Sequence, residues 1–524
     1  MIRIIALIFC LCLGVTYTQG QELRADQWQV VDLSFTINKL PDLPFDHGVS
    51  ALFTHESGET MTVPGYYNGA KEYQVRVSFS KPGKWTYEVS GIGKKNKNQR
   101  GVIEVTMAEK QRGPIQIMDG KSQHFAYANG EPYMAMAFEL DWLFALDEIG
   151  ADGLPNSSSI INEIAANGFN QVVMNVYAYD AHWGDKERML PQHDFSKPEV
   201  FPYGGSNTNP DYDVLNVDFF KHLDKVIALL NEQDIIAHLM IYVWNKQVNW
   251  PDPESVEDNR YFDYVVKRYQ AYPNLNWDIS KEALAYGRDD MGYISRRIAR
   301  LRSMDAHQRL VTVHDYNYCS KYPELVDFIS IQEWEPYLYG RMREVRSRYD
   351  KPIFNIEHGG YEKTDITIFD GAYNDALTCL DRAYQCAFAG TYSTYYWQNA
   401  AWYHVIYDLN DVAENPPKLS YYRHLMDFFD TYPLHEFEPE RGAFSPPALS
   451  RETTFLYYLD SDRLGIYGEN KRLKDQKVSI RWFDPQTGKY LNAEERQMDG
   501  VWLGFDKPAA LKGAMAIAVI EIIK

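Results

Sequence analysis

Two glutamates close short apolar runs in this chain. Glu282 ends NLNWDISKE (274–282), and Glu357 sits near the end of KPIFNIEHGG (351–360). A carboxyl pair facing one another can cleave a glycosidic bond. One carboxylic acid protonates the leaving oxygen, while the other carboxylate attacks the anomeric carbon. In the retaining form of that chemistry the two groups stand about 5–5.5 Å apart. At such a distance each raises the other's proton affinity, so one stays protonated while its neighbour is ionised. A lone carboxylate at an apolar strand end costs several kcal/mol unless it is paired or hydrogen-bonded. The alternative is structural: Glu282 pairs with Lys281 or a helix arginine, and Glu357 caps the turn that follows it.

Whether the pair can meet depends on the elements that carry it. Short apolar strands alternate with amphipathic helical patterns between residues 113 and 438, which predicts βα units and a parallel sheet. Eight strands are expected: YMAMAF (133–138), QVVMNVY (171–177), IIAHLMIY (235–242), LNWDIS (275–280), LVTVHD (310–315), FISIQE (328–333), IFNIEH (353–358) and STYYWQ (393–398). Helical patterns such as 219–233 and 291–304 separate them. Eight such units fit an α/β fold of the (β/α)8 TIM-barrel type, in which chemistry sits at the C-terminal strand ends. A doubly wound sheet would need a Gly-rich phosphate turn after its first strand, and none is present. The fourth and seventh strands lie across the mouth of such a barrel, so Glu282 and Glu357 would face each other.

The flanks read as β-structure. Residues 21–112 are expected to form an N-terminal β-sandwich. There YQVRVSFS (73–80) and WTYEVSGI (85–92) flank KPGK like a hairpin, and VPGYYNG (63–69) reads as an aromatic-bearing loop. Residues 439–524 return to short alternating strands, predicting a second sandwich, with Pro485 and Gly488 marking a turn.

The fourth-strand motif resembles that of retaining clan A glycoside hydrolases, an aromatic-rich strand ending in Asn-Glu. KPIFNIEHGG resembles their seventh strand, and TYYWQ their eighth, whose tryptophan, here Trp397, floors the sugar subsite. The resemblance implies Glu282 as acid/base and Glu357 as nucleophile. One departure is Lys281, at the position where the clan usually has an asparagine that binds the sugar 2-hydroxyl. It points to a sugar of different shape or one carrying negative charge. The whole chain resembles a narrower group, the apiosidase-like glycosidases of polysaccharide-degrading bacteria. FAYANGEPYMAMAFELDWLFAL (125–146) resembles their first strand. The C-terminal region resembles a collagen-binding-type β-domain, and residues 24–108 resemble an N-terminal β-sandwich of unknown function. Apiosidases tend to carry aspartate where this chain has Glu282, so apiose specificity does not follow.

Other polar and aromatic residues fall at the remaining strand ends. Asp141 and Trp142 follow the first, Asn175 lies on the second and Trp244 follows the third. His314 ends the fifth, while Gln332 and Trp334 lie at the sixth. Hydroxyl-rich ligands need short polar groups beside flat apolar faces. With Lys281 and Trp397, and with His182 and Trp183 from the long segment 178–216, these are the candidate substrate contacts. The histidines lack HExxH or His-x-His spacing, so no metal is expected, and no cofactor motif is present. The missing Gly-x-Ser-x-Gly elbow argues against a serine esterase.

Composition narrows the partners. The net charge of −19 argues against nucleic acid or an anionic membrane as partner. Aromatics reach 15%, including 39 Tyr and 12 Trp, which suits stacking on sugar rings or simply large β-rich domains. Residues 1–20 combine Arg3, the apolar run Ile4–Val15 and a small-residue end, the pattern of a secretory signal too short to span a bilayer. The chain is thus expected to be exported to the periplasm or beyond. Behind the signal remain Cys319, Cys379 and Cys386, an odd number that predicts buried free thiols. The expected function is secreted, retaining hydrolysis of a plant or algal polysaccharide or oligosaccharide. The alternative is a catalytically degenerate glycan-binding or adhesion protein on the same barrel.

Overall fold

The computed structural model describes residues 23–93, 99–108, 111–180, 198–288, 290–358, 360–361, 373–397, 418–440, 446–467, 471–499 and 502–523. The signal-like segment, His182 and Trp183 lie outside the described residues. The chain divides into two compact units, Met1–Glu109 and Lys110–Lys524.

The first unit is a β-sandwich of a five-stranded and a three-stranded sheet. Here the sequence reading needs correction. Glu72–Val77 pairs with Val31–Thr36 in the smaller sheet, whereas Gly83–Ser90 pairs with Ser50–His55 and Arg100–Thr106 in the larger. The KPGK segment is therefore a crossover between layers, not a hairpin turn. Phe79, fully buried, anchors it between Phe53 and Trp85, whose ring centroids lie 5.5 and 5.0 Å away. The Trp85 indole N–H donates to Lys81 O. Gly83 has φ +121°, and a Cβ there would stand 2.6 Å from His55 Nε2, so the crossing requires glycine. The expected loop at 63–69 is instead mostly strand, Thr60–Pro64 and Tyr66–Tyr67.

The second unit holds the parallel barrel. Its strands are Met136–Glu139, Gln171–Asn175, Ile236–Val243, Leu275–Lys281, Val311–His314, Ile329–Gln332, Ile353–Glu357 and Tyr392–Trp397. They hydrogen-bond in cyclic order from the sixth, through the eighth and first, to the fifth. The remaining seam, between the fifth and sixth, is closed by other bonds. Thr312 Oγ1 donates to Phe328 O and meets Ser330 Oγ, both at 3.0 Å, and Asp327 N donates to Val311 O at 2.8 Å. Helices such as Val217–Glu232, Val256–Tyr269, Met291–Met304 and Ala376–Phe388 follow the strands. Cys319, Cys379 and Cys386 are buried free thiols. Within 178–216, expected to be irregular, Tyr203–Ser206 and Asn209–Leu215 pair as a β-hairpin. No helix among the described residues is long and apolar enough to cross a membrane.

Alternation of polar and apolar residues along the fourth strand does not mark a solvent-facing side. All seven residues of Leu275–Lys281 are buried. Asp278 points into the barrel and accepts from His238 Nε2 at 3.0 Å, while Trp277 points out into the helix layer. The alternation is thus between a polar lumen and an apolar helix layer. Trp277 is fully buried, and its indole N–H donates to Asp305 Oδ2 at 3.0 Å. Replacing Trp277 with Ala opens a cavity and removes that donor. The expected loss is about 3–5 kcal/mol, read as a lower urea midpoint of the full chain; an unchanged midpoint would refute the anchoring role.

Beyond the barrel a seven-stranded antiparallel sheet packs on a two-stranded ribbon, Arg463–Tyr467 with Trp502–Asp506. Their shared core includes Phe455, Trp482, Leu464 and Phe505. This sandwich rests on barrel helices: Tyr458 stacks on Tyr384 with centroids 5.3 Å apart, and Phe483 packs on Phe428 at 4.9 Å.

Candidate active site

The fourth and seventh strands reach the mouth through a one-residue bulge each. Along the fourth, Asp278 pairs with Thr312 and Lys281 with His314, so three steps on one strand match two on the other. Along the seventh, Asn355 pairs with Ile331 and Glu357 with Gln332, two steps against one. Each extra residue reverses which face the next side chain takes. Lys281 and Glu357, which strict alternation would turn toward the helices, enter the lumen instead. Asp278 Oδ1 supports the first bulge by accepting from Ser280 N at 3.1 Å and His314 N at 2.9 Å. Glu282 follows with φ +57°, a left-handed conformation uncommon for residues other than glycine.

These local features bring the predicted pair together. One atom each of Glu282, His314 and Glu357 lies within 4.8 Å of the other two. Glu357 is fully buried and Glu282 half-buried. Gln332 Nε2 donates to Glu282 Oε1 at 3.2 Å, and His314 Nε2 stands 3.5 Å from Glu357 Oε2. Burial pushes the Glu357 carboxyl up to about 7; the Lys281 ammonium pulls against this, and neighbouring Glu282 adds to it. Burial holds His314 well below the usual histidine range, so it is neutral. A neutral histidine with two carboxylates has the chemistry of a metal tripod. However, the Lys281 ammonium, 3.4 Å from Glu357 Oε2, already supplies the positive charge beside it.

Beneath the pair lies a buried charge network that the sequence reading caught only in part. Lys281 Nζ donates to Glu139 Oε1 and stands 3.6 Å from Asp141 Oδ1. Lys246 Nζ lies 3.0 Å from Asp141 Oδ2, and Asn175 Nδ2 donates to Asp141 Oδ1 at 2.9 Å. Burial keeps Glu139 well above the usual carboxylate range despite Lys281. Burial alone would also raise Asp141, but Lys246 and Lys281 outweigh it and hold that carboxyl well below its ordinary value.

This arrangement corrects the reading of Lys281. It has no accessible surface and faces three carboxyl groups, so it offers no free charge to an anionic sugar. Asp141 and Asn175 are likewise buried and bonded to one another, supporting the site from below. Trp142 is buried beside Lys246, whose Nζ lies 5.3 Å from the ring centroid. Trp244 is half-buried at the rim, stacked under Arg288 at 4.4 Å, with its backbone N–H bonded to Lys281 O. Trp334 is half-buried beyond the sixth strand. Trp397 ends the eighth strand as expected, with its side chain outside the described residues.

Glu139, Lys246 and Tyr396 were missed. Glu139 alternates with Asp141 in FELDW, a pattern that places one acid at the strand's end and the other just past it. Tyr396, in the eighth-strand run TYYW, has its ring 5.8 Å from Lys281 Nζ. Lys246 gave no signal, because a lysine three residues past a strand reads as surface.

Comparison with known proteins agrees with this geometry. The family described as "Apiosidase-like, catalytic domain" matches residues 121–422, and a domain of unknown function, DUF5060, matches residues 24–91. A candidate glycoside hydrolase from Bacteroides vulgatus ATCC 8482 superposes with TM-score 0.80 at 19% identity, covering 96% of this chain and 100% of that one. A family 5 glycoside hydrolase from the same organism gives TM-score 0.57 at 16% identity, over 78% and 94% of the two chains. No curated protein matches the chain. The catalytic-domain match spans more than half of the sequence, so the chain belongs to the apiosidase-like family and is a glycosidase.

Proposed function

We propose that this glycosidase is an exported enzyme that hydrolyses a plant or algal polysaccharide or oligosaccharide with retention of anomeric configuration. Glu282, protonated, hands its proton to the glycosidic oxygen while the Glu357 carboxylate attacks the anomeric carbon. The aglycone leaves as an alcohol and a glycosyl–Glu357 ester forms. Glu282, now ionised, then takes a proton from water, whose oxygen displaces Glu357. The observation that supports this reading is the approach of one oxygen of each carboxyl group to within 4.8 Å of the other, in keeping with the about 5–5.5 Å of retaining enzymes rather than the roughly 6.5–9.5 Å of inverting ones.

The test is incubation with a panel of plant and algal glycans, apiose-bearing oligosaccharides among them, with the first-formed anomer read by proton NMR. Retention is expected; an inverted first product overturns the double displacement. The pH dependence has a defined sign. Glu357 must be ionised to attack, so kcat/KM should fall as pH drops below about 7.

A second reading, a glycan-binding protein without turnover, is favoured by Lys281 standing where the clan usually has asparagine. Saturable binding with no product from any glycan of the panel would select it.

A further inference from the structure

We propose that Lys281 is a positioning residue that holds the Glu357 carboxylate charged and aimed at the anomeric carbon. The inference rests on the reading of Glu357 as nucleophile. The bulge on the fourth strand turns this side chain into the lumen, where its ammonium lies 3.4 Å from Glu357 Oε2. A lysine without any accessible surface is costly unless carboxylates surround it, and here Glu139 and Asp141 of the first strand join Glu357 in doing so.

The other groups facing Glu357 do not replace it. Lys246, past the third strand, is engaged with Asp141 at 3.0 Å. His314 on the fifth strand is neutral. Gln332 on the sixth is uncharged and bonded to Glu282. Tyr396 on the eighth and Tyr286 past the fourth are both pushed up by burial and the nearby carboxylates, and so remain neutral phenols. Glu282 and Asp141 both oppose ionisation of Glu357. Removing the Lys281 charge therefore leaves a buried carboxylate beside two acids, and it takes up a proton in place of attacking.

The protonation of Glu357 can be followed without knowing the substrate. In the full chain labelled with [5-13C]glutamate, the Glu357 resonance is identified by its loss in Glu357→Gln and titrated. In Lys281→Gln the midpoint is expected to rise by about 1–3 pH units, the usual effect of losing one close opposite charge. Lys281→Met, which fills the same space with an apolar chain, carries the same readout if the glutamine variant does not fold. Asp141→Asn frees both ammonium groups from a competing carboxylate and should move the midpoint down. A midpoint unmoved in the lysine variant, or raised in Asp141→Asn, overturns the proposal. Turnover by Glu357→Gln equal to wild type would instead remove the nucleophile assignment, so the two failures are distinguishable.

Discussion

Glu357→Ala is expected to reduce turnover of a responsive glycan by roughly 10⁴- to 10⁶-fold, the scale seen when a covalent nucleophile is removed. No neighbouring carboxylate can take its place. Asp141 is held by Lys246, Lys281 and Asn175. Glu139 is bonded to Lys281, and burial keeps its carboxyl well above the usual carboxylate range. Glu282 has to deliver the proton. Capture of the glycosyl–enzyme ester, followed by peptide mapping, should find the sugar on the peptide carrying Glu357 in the wild type and nowhere in the variant. Undiminished turnover, or an ester mapped elsewhere, would remove the assignment. Circular dichroism and the thermal midpoint exclude simple unfolding as the cause.

Glu282→Ala should cost about 10²–10⁴-fold on a substrate with a sugar leaving group, and far less on an activated aryl glycoside. A nitrophenolate departs without a proton, so bond cleavage no longer depends on the missing acid. Azide, small and needing no deprotonation, should restore turnover and yield a glycosyl azide of retained configuration. Equal losses on both leaving groups, with no azide product, would exclude Glu282 as acid/base. The half-buried position of Glu282, against the full burial of Glu357, suits a group that must meet both an incoming water and a departing alcohol.

Much of the architecture was legible because periodicity is local. The fourth strand, expected at 275–280, runs Leu275–Lys281, and the helix expected at 291–304 is Met291–Met304. The choice of Glu282 and Glu357 followed from asking which acids fall at opposed strand tips. What failed depended on partners distant in sequence. The two alternating runs at 73–80 and 85–92 look like one hairpin, and only Phe79, packed between Phe53 and Trp85, shows that the chain changes layer between them. The polar residues of the fourth strand face a lumen where Asp278 meets His238, a partner 40 residues away in the chain. Lys281 suggested an anionic sugar because its counter-charges, Glu139 and Asp141, are about 140 residues earlier in the chain.

The bulges before Lys281 and Glu357 carry a consequence for how relatives are matched to this chain. Each of these two side chains faces inward only because one additional residue precedes it on its strand. On the seventh strand, a relative lacking that residue would aim inward the side chain one place nearer the strand's start, and its acid would have to stand there. Aligning such chains letter for letter would pair this enzyme's reactive acid with a residue of the outer layer. Counting ladder partners, as Lys281 with His314 and Glu357 with Gln332, identifies the equivalent positions where identity of letters does not.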